Sequence, residues 1–173
     1  MREYGKGWLC ADRGWDAGVP AGYTTSDKTY LQNTGDVYES LRLKWPKNSS
    51  VLNNLAYLPA QNDERLAEAL EFARTAVEQN PDEANYLDTY GYLLYRSGQS
   101  AQTASSLAAA VQKYEARGKA PMGVYEHLGL VNEVLGEWGK VLDAYRRARK
   151  AGGTAMSAAT RQRIESAVER LTE

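Results

Sequence analysis

The sequence has little of what most catalytic and metal sites require. Its 173 residues include one cysteine, Cys10, and one histidine, His127. A single thiol cannot form an intrachain disulfide, and no second cysteine or histidine is present to complete a zinc site. A nucleophile activated by an imidazole would need these two residues together, and nothing in the sequence supports that pairing. The sequence therefore predicts a protein that is not an enzyme and that uses no metal and no cofactor.

The chain also lacks an excess of one charge and lacks long apolar runs. Lys and Arg number 21 against 22 Asp and Glu, which gives a net charge of -1, so no overall field favours nucleic acid or an anionic lipid surface. No apolar run approaches the ~20 residues of a membrane helix, and the N-terminus lacks the apolar stretch of a signal peptide. We expect a soluble, cytoplasmic protein without nucleic-acid or membrane partners, and a fragment of a longer protein stays possible.

One local charge run stands out from this balance. Residues 146–150 read Arg-Arg-Ala-Arg-Lys at the end of a predicted helix. Cations there complement the helix dipole, so structure alone can account for the run. A patch for an acidic partner or for nucleic acid is the alternative, although phosphate contacts alone give weak, salt-sensitive binding.

The chain contains an internal repeat of small residues. Gly91 and Gly98 recur 38 residues later as Gly129 and Gly136, and a weaker copy of the pattern includes Ala56, 35 residues before Gly91. Repeats of this length are typical of stacked helical hairpins, which contact their neighbours and build long concave surfaces. The pattern therefore predicts a binding scaffold.

Apolar periodicity and turn residues divide the chain into six predicted segments. The first is irregular, aromatic and glycine-rich, and we expect it to be a cap; the second is a helix of a degenerate half repeat; three helical hairpins and a C-terminal capping helix follow. The segments are residues 1–27, 28–48, 49–81, 82–121, 122–153 and 154–173.

The stretch Tyr86–Gly98, followed by Leu107 and Ala110, resembles a tetratricopeptide repeat (TPR) of the bacterial type. So do the stretches that begin at Leu52 and at Tyr125, and the resemblance covers roughly residues 49–150. It implies an all-α protein, a right-handed α-α superhelix (solenoid) of about three TPR-like hairpins with a C-terminal capping helix. It also implies a protein-protein interaction scaffold rather than an enzyme.

Two helical glycines and two polar residues at apolar positions bear on the packing. Gly91 and Gly129 each cost a helix about 1 kcal/mol relative to alanine, which predicts that another helix backbone approaches closely there. Thr103 and Asn132 stand where the family usually has alanine and a bulky residue, and we expect looser packing around them. The side-chain oxygens of Ser49 or Ser50, Asp63 and Ser100 are suited to cap helices.

The resemblance also implies that the first helix of each hairpin lines the concave groove. Carried over residue by residue, the peptide-binding candidates are Asn53, Asn54, Tyr57, Asp88, Thr89, Tyr92, Tyr95, Arg96, Glu126, His127, Leu130 and Glu133. Tyr92 and Tyr95 lie three residues apart and share a helix face, which favours stacking on a bound peptide. Packing of these rings between hairpins is the alternative.

The acidic candidates raise two further points. Asp88, Glu126 and Glu133 outnumber Arg96 on the predicted face, so a mixed or basic ligand fits better than an acidic one, unless the acids are only solvated. Glu126 and Glu133 lie seven residues apart, about 10 Å along a helix, which matches an inverting glycosidase pair, but no sugar-binding context accompanies them.

The expected function is therefore binding of a peptide or partner segment in the groove. The alternative is an oligomerisation or spacer domain of a larger protein, with the N-terminal aromatic segment packing in its own or a neighbour's groove. A homo-oligomer is possible under either interpretation.

Overall fold

The computed structural model describes residues 36–57, 65–153 and 158–171, and within these ranges the chain forms helices and no strand. The prediction of an all-α solenoid is confirmed. The predicted cap, residues 1–27, and the expected capping residue Asp63 lie outside the described ranges. The helices are α1 (36–44), α2 (Ser49–Tyr57), α3 (Leu66–Gln79), α4 (Ala84–Arg96), α5 (Ser100–Ala116), α6 (Met122–Val134), α7 (Trp138–Gly152) and α8 (Ala158–Arg170).

The helices from α2 onward stack as successive hairpins. Helix α2 packs on α3, α4 on α5, and α6 on α7, while α3 contacts α4 and α5 contacts α6. The first helices of the hairpins also touch one another, α2 with α4 and α4 with α6. These contacts place α2, α4 and α6 side by side along one face of the array, as in repeat proteins in general.

The apolar core follows this nearest-neighbour pattern. One buried cluster joins α2, α3 and α4 through residues that include Ala56, Ala73 and Leu93. A second cluster runs from α4 to α8, where Ile164 and Ala167 are buried. Helix α8 packs on α7 and thereby covers the apolar face of the last hairpin.

The predicted close approaches at the two helical glycines are present. A Cβ atom added to Gly91 would lie 2.8 Å from Cγ of Leu107, and Gly129 faces the ring of Tyr145 in the same way. The neighbour is thus mainly a side chain of the second helix, where the sequence predicted a helix backbone. Ala56, in the corresponding slot of the first hairpin, is fully buried.

The turns of the second and third hairpins are built alike. Gly98 has φ of 78° and Gly136 has φ of 69°, a left-handed conformation that side chains with a Cβ disfavour. After α6, the Gly136 amide donates to the Glu133 carbonyl at 3.1 Å and the Glu137 amide donates to the Asn132 carbonyl at 2.9 Å. This pair of bonds is a Schellman motif, and it fixes the tip of the hairpin.

The capping predictions are partly wrong. Asn48 caps α2, because its Oδ1 accepts a bond from the Val51 amide at 3.0 Å; an amide oxygen one residue earlier takes the role expected of Ser49 or Ser50. Helix α5 has Gln99 at its N-cap, with no side-chain cap, and Ser100 is already inside the helix.

The polar residues at apolar positions are buried and satisfied within their own helices. The Thr103 hydroxyl donates to the Gln99 carbonyl at 2.9 Å, and the Asn132 amide donates to the Leu128 carbonyl at 2.8 Å. Each bond reaches back four residues, so neither side chain needs a partner from a neighbouring helix.

Candidate functional site

Helices α4 and α6 bring three of the predicted site residues into contact. Nδ1 of His127 lies 2.8 Å from Oδ1 of Asp88, and the two side chains are only 16% and 17% exposed. On its other side, the His127 ring stacks on Tyr92 with ring centroids 4.4 Å apart and planes inclined by 24°. One imidazole is thus held by both a carboxylate and an aromatic ring of the neighbouring hairpin.

The stack continues along α4 toward its C-terminus. Tyr95 lies with its centroid 6.4 Å from that of Tyr92, at an interplanar angle of 30°. The Arg96 guanidinium carbon lies 6.0 Å from the Tyr92 centroid, in the range of a cation–π contact. We call Tyr92, Tyr95 and His127 the aromatic ledge; all three side chains are half-buried.

The acidic residues of the predicted groove have intramolecular roles. Asp88 is bound to His127, Glu126 is only 3% exposed, and the Glu133 carboxylate accepts a hydrogen bond from the Tyr145 hydroxyl. Burial, reinforced by Glu133, holds the pKa of Tyr145 well above its usual range. The expectation of a mixed or basic ligand rested on an excess of acid on this face, and these contacts leave little of that acid for a ligand.

Three predicted groove residues are buried: Asn53, Thr89 and Glu126. The Thr89 hydroxyl donates to the Asn85 carbonyl at 3.0 Å within α4. As placed, these side chains present almost no surface to a ligand, because the stacking of α2, α4 and α6 covers the helix flanks as well as the core side.

The remaining candidates keep some surface. Asn54 is half-buried, and its amide donates to the Ser50 carbonyl at 2.8 Å. Tyr57 at the end of α2 and Leu130 on α6 are also half-buried. With the aromatic ledge, they leave a largely uncharged aromatic and aliphatic strip along the first helices.

An apolar cluster at the tip of the third hairpin was missed by the sequence interpretation. Val134, Leu135 and Trp138 are 60%, 41% and 55% exposed; we call these three residues the apolar tip. The repeat displacement of 38 residues could have revealed them, because the equivalent residues of the second hairpin are Arg96, Ser97 and Ser100.

One residue of the basic run of α7, Arg147, forms ion pairs with acidic side chains. Arg147 lies 2.9 Å from Oε1 of Glu115 and 2.9 Å from Oδ2 of Asp143, and Ala148 is fully buried. Glu115 also accepts a 2.7 Å bond from the Tyr125 hydroxyl. These contacts join α5, α6 and α7, and of the other basic residues Arg149 and Lys150 lie in the last turn of α7, where cations complement the helix dipole.

The part of the chain that the structure describes offers neither a cluster of metal ligands nor a membrane-spanning helix. No group of three or more His, Cys, Asp or Glu side chains there could hold a metal ion. None of the helices described is both long and apolar enough to cross a membrane.

Comparison with known proteins supports the repeat assignment. No family model matches the chain. Over 69 residues the chain is 38% identical to the TPR repeat-containing protein PA4667 of Pseudomonas aeruginosa, a match that covers 40% of this chain and 12% of that protein. The match therefore spans about an eighth of the length of this relative.

Solved structures share the fold. MamA matches with a TM-score of 0.59 at 17% identity, covering 87% of this chain and 94% of that one. The Sgt2 TPR domain from Aspergillus fumigatus matches with a TM-score of 0.59 at 20% identity over 72% and 80% of the two chains. TTC0263, a TPR protein of Thermus thermophilus, matches with a TM-score of 0.63 at 18% identity over 83% and 76%.

At these identities the solved structures show the fold alone. The Pseudomonas match is a similarity in sequence. Both agree with the stacked helical hairpins of the structure. The chain therefore has the fold of tetratricopeptide-repeat proteins, and 69 of its residues are similar in sequence to one of them.

Proposed function

We propose that the chain is a non-catalytic scaffold that binds an extended peptide segment of a partner protein along α2, α4 and α6. The observation that carries the proposal is the aromatic ledge, which lies where the first helices run side by side and is neither buried nor fully exposed. A cytoplasmic location without membrane or nucleic-acid partners is part of the same proposal.

The ledge is suited to binding because it is fixed before a ligand arrives. The Asp88 carboxylate and the Tyr92 ring hold His127 from two sides, so the His127 side chain would lose little further freedom when a ligand binds. Tyrosine rings offer flat apolar faces with a hydroxyl at the edge, and such rings carry much of the energy in protein interfaces.

The chemistry of the ligand follows from what remains exposed. Asp88, Glu126 and Glu133 face intramolecular partners or the interior, so the strip offers rings, an aliphatic side chain at Leu130 and a cation at Arg96. This surface fits a segment of aromatic, aliphatic or uncharged polar residues better than a basic one.

The test is selection of twelve-residue peptides from a random phage-displayed library on the immobilised chain, followed by Kd measurement with labelled synthetic peptides. A groove variant, Tyr95→Ala with Leu130→Ala, should weaken binding by about tenfold or more, which equals about 1.4 kcal/mol. A control variant, Arg149→Ala with Lys150→Ala, changes two exposed residues of α7 and should bind like the parent.

Circular dichroism and thermal unfolding would establish that both variants fold. Selection that yields no specific peptide, or peptides that bind the folded groove variant as tightly as the parent, would count against the proposal.

Self-association is a second candidate function, favoured by the first described helix. Val37, Leu43 and Trp45 in and beside α1 are large, apolar and exposed, and such surface on a protein marks a site of interaction. Light scattering over a range of concentrations tests this function: a mass that stays at 19.2 kDa throughout would exclude it.

A further inference from the structure

The second and third hairpins share their turn geometry but differ in the side chains at the tip. Both turns carry the left-handed glycine and the same pair of backbone bonds. At matching positions the second hairpin has Arg96, Ser97 and Ser100, and the third has the apolar tip. The turn itself therefore does not require apolar residues, and their exposure calls for another explanation.

We propose that the apolar tip is a second contact point for the bound partner segment, receiving a bulky aliphatic or aromatic side chain of that segment. This inference rests on the proposed peptide-binding function and specifies its ligand. The partner chemistry is a linear segment with an apolar anchor residue beyond the part that lies on the aromatic ledge.

The apolar tip lies at the end of the apolar strip on α6. Leu130 and Val134 lie one turn apart on α6, and residues at this spacing are neighbours on one helix face. Leu130 is half-buried and Val134 is 60% exposed, so the apolar strip becomes more open toward the end of the helix. A segment that lies along α6 would reach the tip without changing direction.

Backbone hydrogen bonds hold the apolar tip in a fixed conformation. Leu135 is the C-cap residue of α6 and Trp138 is the first residue of α7, and the two backbone bonds around Gly136 fix their relative position. Side chains on such a fixed backbone form a ready-made contact surface, which reduces the entropy lost on binding.

The size of the tip decides between a peptide and a second copy of the chain. Aromatic side chains bury ~150–250 Å² each, and valine and leucine are smaller, so three side chains that are about half exposed offer at most roughly 400 Å². A stable protein interface needs about 800 Å² from each partner. The tip is thus too small to hold a dimer by itself, whereas it suits one or two anchor side chains of a segment already bound nearby.

Local charge gives no alternative basis for recognition. Glu137 and Lys140, two charged residues beside the tip, pair with each other at 3.4 Å, and Glu133 is paired with the Tyr145 hydroxyl. The charges of Glu137 and Lys140 offset one another, so the contact that the tip offers is apolar.

The chain supplies its own control for a test. The tip variant Val134→Arg, Leu135→Ser and Trp138→Ser copies the tip of the second hairpin, so the turn should still form; Trp138→Ser alone is the backup if the triple variant does not fold. The probes are the phage-selected peptides. We expect them to share an apolar anchor and to bind the tip variant about tenfold more weakly than the parent.

A double-mutant cycle links the anchor to the tip. Replacing the anchor residue of the peptide by alanine should weaken binding to the parent about tenfold and binding to the tip variant much less, because coupling is expected only for residues in contact. Equal losses in the two proteins would overturn the inference.

Other outcomes separate this inference from the proposed function. If the groove variant loses binding and the tip variant does not, the inference is wrong and the function stands; if neither loses binding, both are wrong. Light scattering that shows self-association in the parent and none in the tip variant would make a second copy the occupant and would also overturn the inference.

Discussion

The ring of Tyr145 occupies the space that a side chain at position 129 would need: a Cβ on Gly129 would lie 2.6 Å from Cδ1 of that ring. Tyr145 is itself 1% exposed and has little room to move. We predict that Gly129→Ala lowers the free energy of unfolding by about 1–3 kcal/mol through overpacking, although alanine is the better helix former. Urea denaturation measures the change.

Two other glycines provide graded controls for this prediction. A Cβ on Gly123, near the start of α6, would meet nothing within 4 Å, so Gly123→Ala should leave stability unchanged or slightly higher. Gly91→Ala should fall between the two, because a Cβ there would lie 2.8 Å from the Leu107 side chain, a smaller overlap than the one between position 129 and the Tyr145 ring. A loss at Gly123 as large as that at Gly129 would contradict the steric explanation.

The contact between Asp88 and His127 should couple the second and third hairpins. Both side chains are mostly buried and their atoms are 2.8 Å apart, so we predict a coupling energy of about 1–2 kcal/mol in a double-mutant cycle with Asp88→Ala and His127→Ala. Chemical denaturation of the four proteins measures it.

The ion pair between Arg65 and Glu68 is the matched control for that cycle. Its partners lie 2.7 Å apart, but their side chains are 52% and 43% exposed. Exposed ion pairs contribute at most about 1 kcal/mol to stability, and pairs one helical turn apart contribute about 0.5 kcal/mol. Similar coupling in the two cycles would show that burial adds nothing to the contact between Asp88 and His127.

Stability should fall in alkaline solution partly because of Tyr145. Its pKa in the folded chain lies above the unfolded value of about 10, so the folded state binds the proton more tightly. The contribution is complete below about pH 10 and is lost as the pH rises toward the folded value, at no more than about 1.4 kcal/mol per pH unit.

Denaturation of the parent and of Tyr145→Phe at pH 8, 10 and 11 tests this prediction. The parent should lose stability more steeply above pH 10 than the variant, since lysine side chains titrate in both proteins and cancel in the comparison. Burial also raises the pKa of Tyr125, reinforced by Glu115, so Tyr125→Phe should reduce the slope in the same direction. Parallel curves for parent and Tyr145→Phe would be inconsistent with the raised pKa.

The helices and the glycine slots could be predicted from the sequence because their signals are local or strictly periodic. Gly91 and Gly129 recur at a fixed displacement in equivalent helices. Because glycine has a lower helix propensity than alanine, its presence there already indicates a packing constraint. The first residues of the helices were harder to predict. Asn48 and Ser49 are both good N-cap residues, and only the backbone conformation decides between them.

The candidate site could be predicted only in outline. Which residues lie on the first helices follows from the repeat, but the partner of His127 is 39 residues away, and its identity depends on how far one hairpin is rotated relative to the next. The burial of Asn53 and Glu126 depends on the same rotation. The apolar tip needed a comparison of hairpins with each other rather than with the family pattern.

The two tyrosines of the ledge should separate in their effects on stability. If both rings only lined a groove for a peptide, Tyr92→Ala and Tyr95→Ala would each change stability little. The Tyr92 ring, however, stacks on His127 at 4.4 Å and links two hairpins, whereas Tyr95 contacts Tyr92 within α4 at 6.4 Å. Aromatic pairs contribute about 0.5–1.5 kcal/mol beyond the area they bury, so Tyr92→Ala should destabilise by more than 1 kcal/mol and Tyr95→Ala by clearly less. Urea denaturation of the two single variants measures the difference. In a His127→Ala background, most of the additional loss caused by Tyr92→Ala should disappear. Equal losses for the two tyrosine variants, with and without His127, would mean that the stack does not join the hairpins.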